Sequence, residues 1–152
     1  MPLEMLAELL EENRGGVWYL PEPVDAKGVQ ALAKRNAFAY FHIDGKNIAR
    51  KEQLLNHVAT ALHFPKDFGH NWDALEECLT DMDWVDAEGY VIYYEHIEAL
   101  QATGDQFDTF VEILRDAVAS WKEDDTAMIV LLAGGKPPKG VKRLKKEAEL
   151  GD

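Results

Sequence analysis

The chain has 152 residues, a formal net charge of −12 and a single cysteine. This length predicts one domain with a sizeable core, and an apolar content of 47% excludes an intrinsically disordered chain. One cysteine excludes an internal disulfide framework. The negative charge argues against a nucleic-acid partner and favours a cationic protein partner.

The first third of the chain predicts two helices and two strands. Leucines and glutamates alternate at helical spacing over residues 3–13, and a short strand candidate follows at Val17–Leu20. A second amphipathic helix begins after the cap residue Asp25, and residues 37–43 are rich in β-forming aromatic side chains. The leucine stripe of the first helix has no evident partner, which leaves open a homo-oligomer formed through this helix.

Helices and apolar strands alternate through the rest of the chain. An amphipathic helix is predicted at Leu54–Leu62, and a longer one from Phe107 to Trp121. Tyr90–Tyr94 and Met128–Leu132 are nearly continuous apolar runs, typical of strands covered on both faces. This order predicts an α/β fold with a small parallel sheet flanked by helices. The sheet has three strands, or four if Val17–Leu20 is included.

Composition divides the chain into three segments. We expect residues 1–36 to form an N-terminal helical and strand extension packed on the main domain, which spans residues 37–135. Residues 136–152 combine a Pro-Pro pair with mixed charges and few apolar anchors, which predicts a basic, flexible tail. Because the sequence predicts no signal peptide and no membrane span, we expect a cytoplasmic protein.

The most informative stretch covers residues 64–84. Asn71 is placed to cap a short helix, with its side-chain oxygen available to the first free N–H groups. The apolar face of this helix comprises Trp72, Leu75, Leu79 and Met82. The opposite face, spaced i, i+3, i+4, i+7, comprises Asp73, Glu76, Glu77 and Thr80. One face therefore fits a core, and the other carries three carboxylates and a hydroxyl.

This acidic face has no basic neighbours in the sequence. Residues 66–125 carry 17 acidic and three basic residues, a net charge of −14, whereas residues 136–152 carry six basic and three acidic residues. A solvated face is one interpretation, because acids in a first helical turn complement the helix dipole. A cationic partner is the other, because Asp73 and Glu77 are like charges at i, i+4, which destabilises an isolated helix.

No motif for catalysis or metal binding is present: the sequence lacks a phosphate loop, GxSxG, CxxC and HExxH. His70 beside Asp73 and the carboxylate pairs of the helix leave open a metal site or a glycosidase-like acid pair. No cationic clamp accompanies them, so we expect no enzyme activity, no cofactor and no metal. Trp84 follows the acidic helix and is a candidate interface anchor, with core packing as the alternative.

Residues 64–79 resemble the signature of the barstar family of ribonuclease inhibitors. The matching pattern is Phe-Pro followed by Phe-Gly-x-Asn-x-Asp-Ala-Leu-x-x-Cys-Leu, without a gap. Ile43–Lys46 resembles the first strand and turn of that family, Leu114–Ala117 its last helix and Met128–Leu132 its last strand. The resemblance covers roughly residues 38–133.

The resemblance implies a small parallel sheet flanked by helices and tight binding to a basic microbial ribonuclease or a similar toxin. The acidic helix would block the nuclease active site. The implied partner-binding residues, with Trp84 as the candidate anchor, are Asp67, Asp73, Glu76, Glu77, Thr80, Trp84 and Asp116. Asp67 and Glu76 stand where the family has aromatic residues, and Glu77 where it has Asp. The alternative is a non-inhibitory interaction module or an immunity protein for another basic toxin.

Overall fold

The computed structural model describes residues 2–145. Six α-helices and five strands follow in chain order, with a short 3-10 helix at Gly45–Asn47. The helices are α1 Pro2–Glu11, α2 Ala26–Arg35, α3 Lys51–Ala61, α4 Trp72–Asp81, α5 Glu98–Gln101 and α6 Asp105–Glu123. The strands are β1 Gly16–Leu20, β2 Phe38–Asp44, β3 Gly89–Glu95, β4 Met128–Ala133 and β5 Lys142–Arg143. No helix in this part of the chain is both long and apolar enough to cross a membrane.

The strands form one parallel sheet in the order β2-β3-β4-β1-β5. The predicted α/β class is therefore confirmed, but the sheet has five strands rather than three or four. The additional strand is β5, which pairs with β1 through Lys142 and Arg143. Both residues are exposed and polar, so β5 has none of the apolar periodicity by which a strand is recognised in a sequence.

Strand β1 is internal to the sheet. Gly16–Leu20 pairs residue by residue with Ile129–Ala133 of β4, and β5 lies on its other side. The family resemblance covers roughly residues 38–133, which contain three strands, β2, β3 and β4. These three form only one part of the sheet. The segment before residue 37 contributes a strand to the same sheet, and so does the segment after residue 135.

Each face of the sheet supports a separate apolar core, because successive side chains of a strand point to opposite faces. The larger core contains Tyr90, Ile92 and Tyr94 of β3 and is covered by α3, α4 and α6. The smaller core contains Val91 and Tyr93 of β3 and is covered by α1 and α2. Helices on both faces explain why the central strands are continuous apolar runs.

The leucine stripe of α1 has its partner within the chain. Leu6, Leu9 and Leu10 are 1–3% exposed and belong to the smaller core, and Leu3 packs against the same cluster. Because these side chains are already covered, the stripe no longer offers an observation in favour of self-association through this helix.

The described part of the basic segment, residues 136–145, is attached to the domain. Gln101 makes two hydrogen bonds with the main chain of Lys136, donating to its carbonyl at 2.6 Å and accepting from its N–H at 2.9 Å. Leu144 is buried, and its N–H donates to the Tyr19 carbonyl. The expected flexible tail also includes residues 146–152, which lie outside the described residues.

Candidate functional site

Helix α4 begins at the predicted cap. The Asn71 side-chain oxygen accepts a hydrogen bond from the Ala74 N–H at 2.7 Å, while the Asn71 backbone is extended. The cap therefore satisfies one of the four N–H groups that a helix leaves free at its start. Leu75 and Leu79 are buried in the larger core, as the apolar periodicity predicts.

The cap supports a direct prediction. Asn71→Ala should lower the free energy of unfolding by about 1 kcal/mol, the usual cost of removing an N-cap oxygen. Asn71→Asp should retain the cap and most of the stability. Chemical denaturation of the three proteins measures this difference, and equal midpoints for Asn71→Ala and the parent would show that the cap contributes nothing.

The end of α4 is held by a tryptophan of another helix. The Trp121 indole N–H, on α6, donates to the Leu79 carbonyl at 2.8 Å, and the Trp121 ring lies 5.0 Å from that of Tyr90. Met82 then leaves the helix in the left-handed conformation with φ 49°. A side-chain hydrogen bond therefore holds each end of α4, and we expect its exposed face to be well ordered.

The acidic face points away from the core. Asp73 and Glu77 are exposed, and Glu76 and Thr80 are half-buried. The Thr80 hydroxyl lies 2.9 Å from the Glu76 carbonyl and 3.1 Å from the Glu77 carbonyl, to which it donates. Its proton is therefore used within the helix, and its oxygen remains available as an acceptor.

Asp81 extends the acidic face and was not among the predicted contacts. It is the last residue of α4, it is exposed, and it follows Asp73 and Glu77 at i+8 and i+4. That spacing places all three carboxylates on one side of the helix. We call Asp73, Glu77 and Asp81 the acidic stripe. The i, i+4, i+8 spacing was the signal that could have identified Asp81 from the sequence.

The pKa of the Cys78 thiol is affected by several carboxylates around α4. Burial raises the pKa of Cys78, and the negative charges of Asp81, Glu77 and Asp67 raise it further, in that order. Asp67 precedes the helix, yet its charge acts on the same thiol as those of the stripe. Asp67 is thus one of the carboxylates whose charge reaches Cys78 of α4.

No basic side chain neutralises this surface within residues 2–145. The ion pairs there are Arg14–Glu12, His42–Glu95 and His96–Glu98, and none involves α4 or Asp67. The ammonium of Lys51 instead lies 5.2 Å from the ring centroid of Trp72, over the aromatic face. The carboxylates are thus left as a field that attracts a cationic surface.

Trp84 and the loop before α4 form an aromatic cluster. The Trp84 indole N–H donates to the Leu62 carbonyl at 2.9 Å, and its ring meets Phe64 edge-on with centroids 5.8 Å apart. Phe64 also contacts Phe68, which is buried. Trp84 is half-buried, so the structure gives it a packing role beside its predicted role as a contact residue.

Asp116 lies on the neighbouring helix rather than on the α4 segment. It is exposed on α6 and lines a depression of the surface together with Arg115 and Lys139. The other six predicted contact residues come from positions 67–84. Asp116 therefore lies apart from that segment, on α6, with two basic and two further acidic side chains around the same depression.

One group of potential metal ligands occurs in the described region, outside α4. Single ligand atoms of Asp44, Glu95 and His96 lie within 4.8 Å of one another, and His42 Nε2 is 3.4 Å from a Glu95 carboxylate oxygen. Clusters of exposed acidic groups are common without an ion, and this one shares no residue with the acidic stripe. We assign it no role.

A family model supports the resemblance noted in the sequence. The model described as Barstar (barnase inhibitor) matches residues 38–133, nearly two thirds of the chain. No curated protein matches the sequence.

Solved structures show similarity in fold. The Aeropyrum pernix ORC2 protein, solved as ADPNP–ADP complexes, is similar with a TM-score of 0.59 at 12% identity, over 88% of this chain and 40% of that chain. This chain thus spans less than half of that protein. A chain of Drosophila ORC bound to DNA gives a TM-score of 0.46 at 8% identity, over 98% of this chain and 81% of that chain. At these identities, similarity to the first shows the fold alone, and the second carries no argument.

Proposed function

The chain belongs to the barstar family, and on that premise we propose that it is an inhibitor of a basic ribonuclease, which it binds through α4. The observation that carries this proposal is the acidic stripe, three exposed carboxylates on α4 that form no ion pair within residues 2–145. A ribonuclease active site is built to bind phosphates. Carboxylates held at regular spacing can take the place of those phosphates.

Inhibition then has two stages. The net charge of −14 over residues 66–125 attracts the basic nuclease and raises the association rate at low salt. Helix α4 next enters the catalytic cleft, where Glu77 and Asp73 contact the basic side chains that would bind RNA. The Thr80 oxygen accepts one further hydrogen bond, and Asp116 contacts the rim of the nuclease. Because the carboxylates lose water, each must meet an Arg, Lys or protonated His.

Rigidity of α4 favours affinity. Association costs less when the contact surface is ordered beforehand, and the Asn71 cap and the Trp121 bond order both ends of the helix. The chain itself then performs no catalysis: it excludes substrate from the active site of another protein. Such an inhibitor acts inside the cell that makes the nuclease, which agrees with the cytoplasmic location expected from the sequence.

Asp67 and Glu76 favour a particular range of partners. They stand at positions where the family resemblance implies aromatic contacts, so the partner surface opposite them should be more basic and less apolar. The second candidate function follows from these two residues: an immunity protein for a basic toxin that is not a ribonuclease.

The experiment is an inhibition titration. Barnase and a panel of other small basic ribonucleases are assayed with increasing amounts of the protein, at 50 and 500 mM salt. We expect stoichiometric inhibition of at least one nuclease, with an association rate that falls steeply as salt increases. Binding to a basic nuclease without inhibition would overturn the blocking mechanism, and inhibition insensitive to the acidic stripe would overturn the site.

A further inference from the structure

Basic residues collect on the edge of the molecule formed by β5, β1 and α6. Residues 136–145 contain five basic residues and no acid. Three further basic side chains line depressions at this edge, Arg115 and Lys122 from α6 and Arg14 from the loop before β1. With Lys139 and Lys142 of this segment, five of the 16 lysines and arginines of the chain line these depressions, in a protein whose net charge is −12.

Three depressions of the surface follow one another along this edge. The central one, with a volume of about 420 Å³, is lined by Arg115, Lys122 and Lys142 and by no acidic residue. It shares Arg115 with a depression of about 490 Å³ that also contains Lys139, and it shares Lys122 with one of about 280 Å³ that contains Arg14. We call the three together the basic groove.

The cations of the basic groove are largely free to bind an anion. Within the described residues, Arg14 has an ion pair, with Glu12 at 3.7 Å, and the other four basic side chains have none. Acidic residues occur only in the two outer depressions: Asp108, Glu112 and Asp116 in one, and Asp125 in the other. The central depression is the most strongly cationic part of the groove.

A glycine lets the guanidinium of Arg115 lie against the main chain. Gly140 has φ +74°, and a Cβ there would sit 2.6 Å from Arg115 Nη1. Gly15 and Gly16 line the other side of the same depression. A side chain at Gly140 would displace Arg115, so this position preserves the cationic lining.

We propose that the basic groove binds the phosphate backbone of single-stranded RNA. A nucleic-acid strand carries one negative charge per nucleotide, and the central depression offers three cations without an acid, Arg115, Lys122 and Lys142. The outer depressions add Lys139 and Arg14, beside four carboxylates. The depressions, of about 280–490 Å³, lie near the lower end of the size range of small-ligand clefts, so the proposed occupant is one strand, and a duplex competitor tests that choice. The proposal reverses the expectation, drawn from net charge, that nucleic acid is excluded.

RNA binding at the basic groove is compatible with the net charge of −12 because the groove and the acidic stripe lie on different elements of the fold. Phosphate contacts act over about a Debye length, about 8 Å at physiological salt, so a local cluster of cations can bind RNA although the whole protein repels it. The acidic stripe belongs to a different helix. The two surfaces meet at Asp116, a proposed nuclease contact that lines an outer depression of the groove. The central depression contains none of the proposed nuclease contacts, so RNA binding there and inhibition can fail separately.

The test uses the full chain and a fluorescent 12-nucleotide single-stranded RNA, with anisotropy measured from 50 to 200 mM salt. Each lost phosphate contact should weaken binding about eightfold at 50 mM salt and reduce the salt slope by about 0.7. We expect that result for Arg115→Gln and for Lys142→Gln. Arg50→Gln and Lys46→Gln remove the same charges from exposed positions elsewhere and should change the affinity less than about twofold.

RNA binding in the groove would be excluded if the parent protein failed to bind RNA at 50 mM salt, or if the control variants lost as much affinity as Arg115→Gln and Lys142→Gln. It would also be excluded if polyglutamate or duplex RNA, added at the same concentration of negative charge, displaced the single-stranded RNA. A loss of RNA binding by Lys142→Gln with unchanged nuclease inhibition would separate the two surfaces directly.

Discussion

If the protein inhibits a ribonuclease as proposed, Asp73→Ala and Glu77→Ala should each weaken binding to it by about 2–5 kcal/mol. This is the range for truncating one member of a buried charge pair, and it rests partly on the barnase–barstar complex itself. Most of this loss should appear as faster dissociation, because the partner cation is left without its carboxylate. Both residues are exposed and lack an ion pair within residues 2–145. Their removal should therefore leave the melting temperature nearly unchanged.

Glu8→Ala provides a matched control, since Glu8 is an exposed glutamate within α1, on the opposite face of the sheet from α4. It removes one negative charge without touching the acidic stripe and should affect only the salt-dependent association rate, by less than about twofold. Surface plasmon resonance separates the two rates. If replacing both Asp73 and Glu77 left the affinity unchanged, blocking of the nuclease active site by α4 would be excluded for any partner.

A fragment comprising residues 38–133, the part matched by the family model, should not fold. It lacks β1, so the edge of β4 that pairs with Gly16–Leu20 is left open. It also lacks α1 and α2, which cover Val91, Tyr93 and Ile129 in the smaller core. Exposing three such side chains costs about 1.5–3 kcal/mol each, a large part of the 5–15 kcal/mol that stabilises a typical domain.

Circular dichroism, a thermal melt and gel filtration of this fragment beside residues 2–145 would measure the effect. The longer chain should melt cooperatively as a compact species, and the fragment should show no cooperative transition and should aggregate through its exposed sheet edge. A fragment with a sharp melt and dispersed amide resonances would show that residues 1–37 and the segment after residue 133 are dispensable for folding.

Local patterns predicted most individual elements. The apolar runs Tyr90–Tyr94 and Met128–Leu132 identified two central strands, and Asn71 identified the start of α4, because these signals lie within a few adjacent residues. Strand order is not a local property, so nothing in the residues of β1 showed that it would lie between β4 and β5. Strand β5 was missed because its two residues are stabilised by pairing with β1 rather than by burial.

The candidate site was likewise predictable only where its residues lie on a single element. Helical spacing placed Asp73, Glu77 and Thr80 on one face, since that depends on a single helix. The contributions of other elements were not predictable: the indole of Trp121 reaches Leu79 from 42 positions away. The groove basic residues are likewise far apart in the sequence, so only the fold could show that they line one surface.

The internal position of β1 also determines when the sheet can be completed during synthesis. Gly16 pairs with Ile129, which leaves the ribosome 113 positions later. Contacts between such distant positions form slowly, because a long loop must close before they stabilise anything. Until then β1 and the apolar face of α1 lack their β4 contacts and are targets for chaperones and proteases. The acidic stripe is thus translated well before the sheet that supports it can close, and the amount of folded protein should depend on folding rate as well as on translation.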